Sequence, residues 1–154
     1  MDPCIFCQIA QGQLDAVQIW ENEEFFAALD INPNVKGMTL VISKDHYDSD
    51  LCNMPDATYK NFFGAARQVS ELLKTGLDVK RIAMVVEGMG INHAHIKLYP
   101  LYGLPETFQS IWCKERIYFE KYPGYITTQL GPQADIDELK KLARTLYPEY
   151  PQKG

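Results

Sequence analysis

Histidine is scarce in this chain, with three residues in 154, beside four cysteines and two tryptophans. Four cysteines are too few for the dense disulfide frameworks of small secreted domains. They are expected to be metal ligands or buried thiols in a reducing cytoplasm. No segment approaches the roughly 18–20 apolar residues of a membrane span. The opening Met1-Asp2-Pro3-Cys4 lacks the basic and apolar regions of a secretory signal. Basic blocks are missing as well. Lys and Arg number 15 against 20 Asp and Glu, a net charge of −5. Duplex binding relies on many phosphate contacts, so no nucleic-acid partner is expected, and no membrane. What remains is a soluble chain of 154 residues, 46% hydrophobic, suited to a single domain over 1–154 with its own core.

Apolar spacing gives the elements. Ile5, Phe6 and Ile9 form a short helical stripe that Gly12 breaks. Residues 19–31 read as a hairpin turning at Glu21-Asn22-Glu23, and 38–43, MTLVIS, as a central strand. A long helix is predicted over 56–75, capped by Asp56 behind Pro55, with Gly76 past its end. Residues 81–86, RIAMVV, read as a buried strand, and 91–99 as its antiparallel partner after the EGMG turn. Beyond Gly103, strand-like aromatic pieces surround a turn at Pro123-Gly124. A last helix starts at the cap Asp135 with Glu138 three residues on. It presents Ile136, Leu139, Leu142, Ala143 and Leu146 on one face and closes at Pro148. Strands, helix, strands, helix make an α+β fold with an antiparallel sheet, a long helix and a C-terminal helix. Residues 104–154 form an extension of less defined character.

Two of the three histidines fall in GINHAHIKLYP, residues 90–100. On a strand, His93, His95 and Lys97 share one face, and Ala94, Ile96 and Leu98 turn to the core. That polar face suits a metal site, an anion-handling site, or a half-exposed strand with incidental histidines. An imidazole can attack phosphorus, and an ammonium can hold phosphate oxygens. Cys4 and Cys7, at Cys-x2-Cys spacing, fit a redox pair or half of a metal site.

The stretch His93-Ala94-His95-Ile96-Lys97-Leu98-Tyr99-Pro100 resembles the signature of the histidine triad (HIT) family, His-φ-His-φ-His-φ-φ with φ apolar, with lysine in the third place. CIFCQIAQGQ (4–13) is similar to the opening of bacterial members. FFAALDINPNVKGMTLVISKDH (25–46) resembles the family's second block. The likeness runs from Cys4 to about Pro100.

The resemblance implies hydrolysis or transfer at the α-phosphorus of nucleoside phosphoramidates or dinucleoside polyphosphates, with His95 as nucleophile and Lys97 beside the phosphate. A purine nucleotide is the implied substrate, Asp30 the ribose ligand, and Ile31, Ile19 and Phe26 the base contacts. Bacterial members with this N-terminus carry zinc, which carries over to Cys4, Cys7, His46 and His93 as a structural site. A homodimer is also implied. Cys52 and Cys113 then have no partner at motif spacing and are expected to be buried thiols. Where the family has a polar G-Q-S-V approach, this chain has Met89-Gly90-Ile91-Asn92. A donor at Gly90 must then be backbone, and Asn92, a candidate nucleotide contact, should point the other way. Lysine, with a reference pKa of about 10.4, is a poor proton donor at neutral pH but a lasting positive charge, which favours anhydrides over amidates. The incomplete triad keeps a second reading open, a nucleotide-binding or sensing protein with weak or no catalysis.

Overall fold

The computed structural model describes residues 4–128 and 130–146, and the chain divides into two compact units, Met1–Phe108 and Gln109–Gly154. The first unit holds α1 (Ile5–Ala10), β1 (Gln18–Glu21), β2 (Phe25–Leu29), β3 (Thr39–Ser43), α2 (Asp56–Leu77), β4 (Arg81–Val85) and β5 (His95–Leu101). The five strands form one antiparallel sheet in the order β1-β2-β3-β5-β4. The expected hairpin forms at its predicted turn. Asn22 Oδ1 accepts from the backbone N–H of Glu24 at 3.0 Å and of Phe25 at 2.7 Å, so the asparagine side chain ties the turn.

Strand alternation sorts the side chains onto two faces. Phe25, Ala27, Val41, Ala94, Ile96 and Leu98 face α2 and close the main core with Phe62, Ala66, Val69 and Leu73. The rings of Phe25 and Phe62 stack at 4.7 Å with 5° between planes. On the other face Phe26, Ala28 and Ile42 pack with Phe6 of α1. Strand register continues this second face into the site. Phe26 pairs with Ile42 and Ile42 with His95; Ala28 pairs with Leu40 and Leu40 with Lys97. Two cross-strand rows thus end on the predicted chemistry, with aliphatic side chains beneath it.

Several boundaries differ from expectation. Pro55, not Asp56, occupies the N-cap of α2, without a side-chain cap bond, and Asp56 sits in the first turn. There its carboxylate faces the positive end of the helix dipole. The helix continues through Gly76 to Leu77 and stops where Asp78 turns left-handed at φ 52°. Strand β4 is not buried. It lies at the sheet edge, paired only with β5, and leaves Arg81 and Met84 exposed. A continuous apolar run suits a central or an edge strand equally, so the sequence pattern could not tell them apart. Among the described residues past Gly103 there is no strand; Ile117 N–H to the Leu130 carbonyl at 3.0 Å is an isolated bridge, in a segment interrupted by prolines at 105, 123 and 132.

In the second unit α3 (Ile136–Leu146) begins at the predicted cap. Asp135 Oδ1 accepts from the N–H groups of Asp137 at 2.8 Å and Glu138 at 3.0 Å. The stop expected at Pro148 lies outside the described residues. Among those residues no helix is long and apolar enough to cross a membrane. Cys52 and Cys113 are both exposed rather than buried. Cys52 stands on the 3-10 turn Leu51–Asn53, whose buried member is Leu51.

The link from β4 to β5 depends on one glycine. Gly88 adopts φ +71°, and a Cβ there would come within 2.8 Å of Ser49 Cβ and 2.9 Å of the Ser49 carbonyl oxygen. Ser49 is itself held from this link, its N–H and Oγ–H donating to Asn92 Oδ1 at 3.0 and 2.9 Å.

Two stability changes follow. Phe62→Ala, which empties the stacked position in the core, should cost roughly 3–5 kcal/mol in urea unfolding. Gly88→Ala combines a left-handed backbone with backbone crowding and should cost about 1–3 kcal/mol, while Gly90→Ala, with open space at its Cβ, should stay within about 1 kcal/mol of the parent. Equal midpoints for the two alanine variants would remove the role given to the Gly88 turn.

Candidate functional site

The segment before β5 brings the first histidine to the N-terminus. His93 precedes the strand, which starts at His95, so the three side chains do not all stand on one strand. They nevertheless reach the same side. The Phe6 ring meets His93 edge-on at 5.6 Å and His95 at 5.4 Å. The reason for the later strand start is visible in the backbone. His93 N–H turns back to the Ile91 carbonyl and Ala94 N–H bonds the Tyr47 carbonyl, outside the sheet ladder.

His93 is fully buried. Its Nε2–H donates to the Ser43 carbonyl at 2.8 Å, with Ser43 Oγ 3.2 Å away. A carbonyl can only accept, so this bond assigns the tautomer and leaves Nδ1 with its lone pair. Nδ1 lies 3.3 Å from Cys4 Sγ and 3.5 Å from Cys7 Sγ, and His46 Nδ1 lies 3.3 Å from Cys7 Sγ. The ligand atoms of Cys4, Cys7, His46 and His93 all fall within 4.8 Å of one another, a cluster that could hold a metal ion. Cys4 at the N-cap of α1 and Cys7 within it present both thiols to one side because Cys-x2-Cys spans nearly one helical turn. Burial pushes the His93 imidazole below its ordinary pKa against the Ser43 bond, with smaller pushes from His46 and His95. A neutral imidazole is the form that can ligate. Burial, then the neighbouring Cys4, push the Cys7 thiol up. That shift favours the neutral thiol, so holding the pair as thiolates would take a cation between them.

His95 begins β5 and is 5% exposed. Its Nδ1–H donates to the His93 carbonyl at 2.7 Å, which leaves Nε2 as the lone-pair nitrogen. Burial lowers its pKa most. The His93 carbonyl opposes that shift, Lys97 adds to it, and Glu87 and Asp30 act against it. The net shift is downward and favours the neutral imidazole, the form able to act as a nucleophile.

His95 and Lys97 line a cavity of about 600 Å³, together with Asp30 and Ile31. That volume lies within the usual range for small-molecule sites, roughly 300–1,000 Å³. Asp30 ends β2's side of the cavity, with one oxygen already accepting the Asn32 N–H at 2.7 Å. It is thus both the turn-capping carboxylate and a cavity wall. Ile31, 84% exposed, stands at the rim. Gly90, which has only backbone to offer, and Ile91 line the same cavity.

Three candidates stand elsewhere. Ile19 packs against the α2-side core. Phe26, fully buried, lies beneath the cavity in the row that leads to His95, not in its lining. Asn92 faces the loop at 48–50, holding Ser49 and reaching Asp48 at 3.4 Å, and lines a separate cavity. Its expected opposite orientation is observed.

The lining also includes Ile5, Phe6 and Ile9 of α1. Their stripe was legible as a helix face, but nothing in its spacing said that it roofs a site. Glu87, whose Oε2 lies 3.2 Å from Lys97 Nζ, carried one faint signal: it is two residues beyond Val85, the register partner of Lys97.

Comparison with known proteins agrees with this geometry. The family model of the HIT domain matches residues 11–102. An uncharacterised HIT-like protein of Methanocaldococcus jannaschii is 41% identical over 103 residues, 64% of this chain and 79% of its own length. An adenosine 5'-monophosphoramidase of Candida albicans is 26% identical over 127 residues, 77% of this chain and 83% of that protein. The crystal structure of SMU.412c from Streptococcus mutans is similar to this fold with a TM-score of 0.70 at 25% identity, covering 97% of this chain and 86% of that one. With the matching sheet and the family model over most of the first unit, the chain belongs to the HIT domain family.

Proposed function

We propose that this protein is a nucleotide hydrolase or transferase that acts on the α-phosphorus of nucleoside phosphoramidates or dinucleoside polyphosphates through a nucleotidyl-His95 intermediate. The observation that carries the reading is the hydrogen bond from His95 Nδ1 to the His93 carbonyl, which leaves Nε2 unprotonated on a buried ring lining the cavity. Nε2 attacks the α-phosphorus, forming a P–N bond as the leaving group departs with its bonding pair, as a phosphate anion from a polyphosphate or as an amine that takes its proton from water. Water then attacks the same phosphorus and releases a proton to solvent, and the P–N bond breaks so that Nε2 regains its lone pair. Two displacements replace one hard step. Lys97 and the Gly90 backbone, which line the cavity with His95, are assigned as donors to the phosphoryl oxygens. Asp30 is assigned to the ribose hydroxyls, and Ile31 with the α1 side chains to the base. The named activity of the Candida albicans relative supports the reaction class.

Zinc is the metal that this donor set fits. Tetrahedral zinc, with bonds of about 2.3 Å to sulfur and 2.0–2.1 Å to nitrogen, spaces a sulfur and a nitrogen roughly 3.6 Å apart. The sulfur–nitrogen distances of 3.3 to 3.5 Å approach that value. Cys4, Cys7, His46 and His93 would hold zinc as a structural ion, which would join the N-terminal segment to the His93 segment. A cytoplasmic homodimer, implied by the resemblance, completes the proposal.

The second reading, a nucleotide sensor with little turnover, has one observation in its favour: Lys97 is already engaged by Glu87. Turnover decides between them.

His95→Ala should lower cleavage of an adenosine phosphoramidate and dinucleoside polyphosphate panel by at least about 10³-fold, while the Kd for AMP stays within about tenfold. Activity retained in that variant, followed by chromatography of released AMP, would exclude the covalent route. Wild-type protein that binds AMP but turns over neither substrate class would establish the sensor instead.

Protein prepared without chelators should contain about one zinc per chain by elemental analysis. Chelation, or Cys4→Ser, should lower Tm by roughly 5–10 °C, since the bound metal stabilises only the folded chain. Absence of zinc, or a chelator-insensitive Tm, would rule the assignment out.

A further inference from the structure

The Lys97 ammonium, third in the His-His-Lys series, has a carboxylate beside it. Glu87 Oε2 lies 3.2 Å from Lys97 Nζ, and the Glu87 side chain is only 12% exposed against 27% for Lys97. The sheet explains why they meet. Val85 is opposite Lys97 in the β4–β5 register, and continuing that line by two residues returns Glu87 to the same face. The Gly88 turn then fixes Glu87 at this place, because its left-handed backbone lies against Ser49. Lys97 lines the cavity that holds His95, and Glu87 lines the neighbouring one, so the ion pair stands in the wall between them. Both charges are felt at His95, with opposite signs.

A lone ammonium beside a phosphate adds a full positive charge, and here a largely buried carboxylate balances it. The effect on a ligand depends on how much charge its phosphorus group brings. An α-phosphorus bound in an amidate, anhydride or diester carries one negative charge. Once released as a nucleoside monophosphate it carries close to two above a second pKa of about 6. The first charge can be met by the Lys97 ammonium and backbone donors. Among the described residues that line the cavity there is no further cation to meet the second, which faces a carboxylate across the ammonium, at a distance where a unit charge still counts.

Resting on the reading that His95 and Lys97 handle the α-phosphorus, we propose that Glu87 is a specificity-determining residue. By pairing with Lys97 it suits the site to a singly charged phosphorus group, and it weakens the hold on the doubly charged monophosphate product.

Calorimetry on the full chain at pH 8 tests this with AMP, a dianion there, and the O-methyl ester of AMP, a monoanion of nearly the same shape. Glu87→Gln should tighten AMP by about tenfold, the order expected for removing one unit charge near a partly exposed site, and the ester by less than about threefold. Glu87→Asp, which keeps the charge, should retain the wild-type ratio of the two affinities. Lys97→Met should weaken both ligands. Glu87→Ala provides the same comparison should the amide variant not fold. Equal changes for AMP and ester, or weaker AMP binding in Glu87→Gln, would overturn the assignment of Glu87 while leaving the nucleotide site standing. Failure of the wild-type protein to bind either ligand would overturn the site itself, and this inference with it.

Discussion

His93 is used from both of its ends, and the rest of the site depends on this. Its imidazole donates to the Ser43 carbonyl and turns Nδ1 toward Cys4 and Cys7, while its own carbonyl takes the Nδ1–H of His95. A single residue therefore fixes the cysteine–histidine cluster and the tautomer of the neighbouring histidine. Neither bond is optional in a buried setting, because an unpaired ring nitrogen or carbonyl would bear its full desolvation cost. Among the described residues no buried side-chain polar atom lacks a partner. The aromatic edge of Phe6 against both rings closes the arrangement without adding another polar group to satisfy.

This arrangement requires a sheet with two different faces. The face toward α2 is filled by apolar side chains and a stacked phenylalanine pair, which gives a rigid platform. The face toward α1 is only partly filled by Phe6, Phe26, Ala28 and Ile42. The cavity lies over that thinner layer, where small Ala28 leaves room at the start of the row that ends in Lys97. The same alternation of side chains that builds the core thus reserves space for a ligand on the other side.

Much of this was legible in the residues, and for unequal reasons. The long helix, the first hairpin and the central strand were readable because period and turn chemistry agreed at each. His95 and Lys97 were singled out by the short histidine pattern and Asp30 by the resemblance of the 25–46 block, and all three line one cavity. The edge position of β4 was not legible, since strand order is set by long-range pairing and RIAMVV reads the same in either place. Ile19 and Phe26 were apolar and near the right block. Only register and the bulge between Gln18 and Trp20 decide which way such side chains turn. The exposure of Cys52 and Cys113 escaped for a related reason. Cysteine is usually buried, but a residue on a 3-10 turn follows the turn. Glu87 was hidden because its meaning lies across the sheet.

Helix α1 has six residues and no side-chain cap, too short to persist by itself. Its position is held by partners far along the chain, with Cys4 and His93 separated by 89 residues. During synthesis the thiols and the Phe6 roof emerge first and wait for the segment that receives them. This site is thus assembled by a late, non-local closure, which contact-order arguments associate with slow folding steps. In that interval the Cys4–Cys7 pair is without its histidines, so its vulnerability to oxidation belongs to the nascent chain more than to the finished protein.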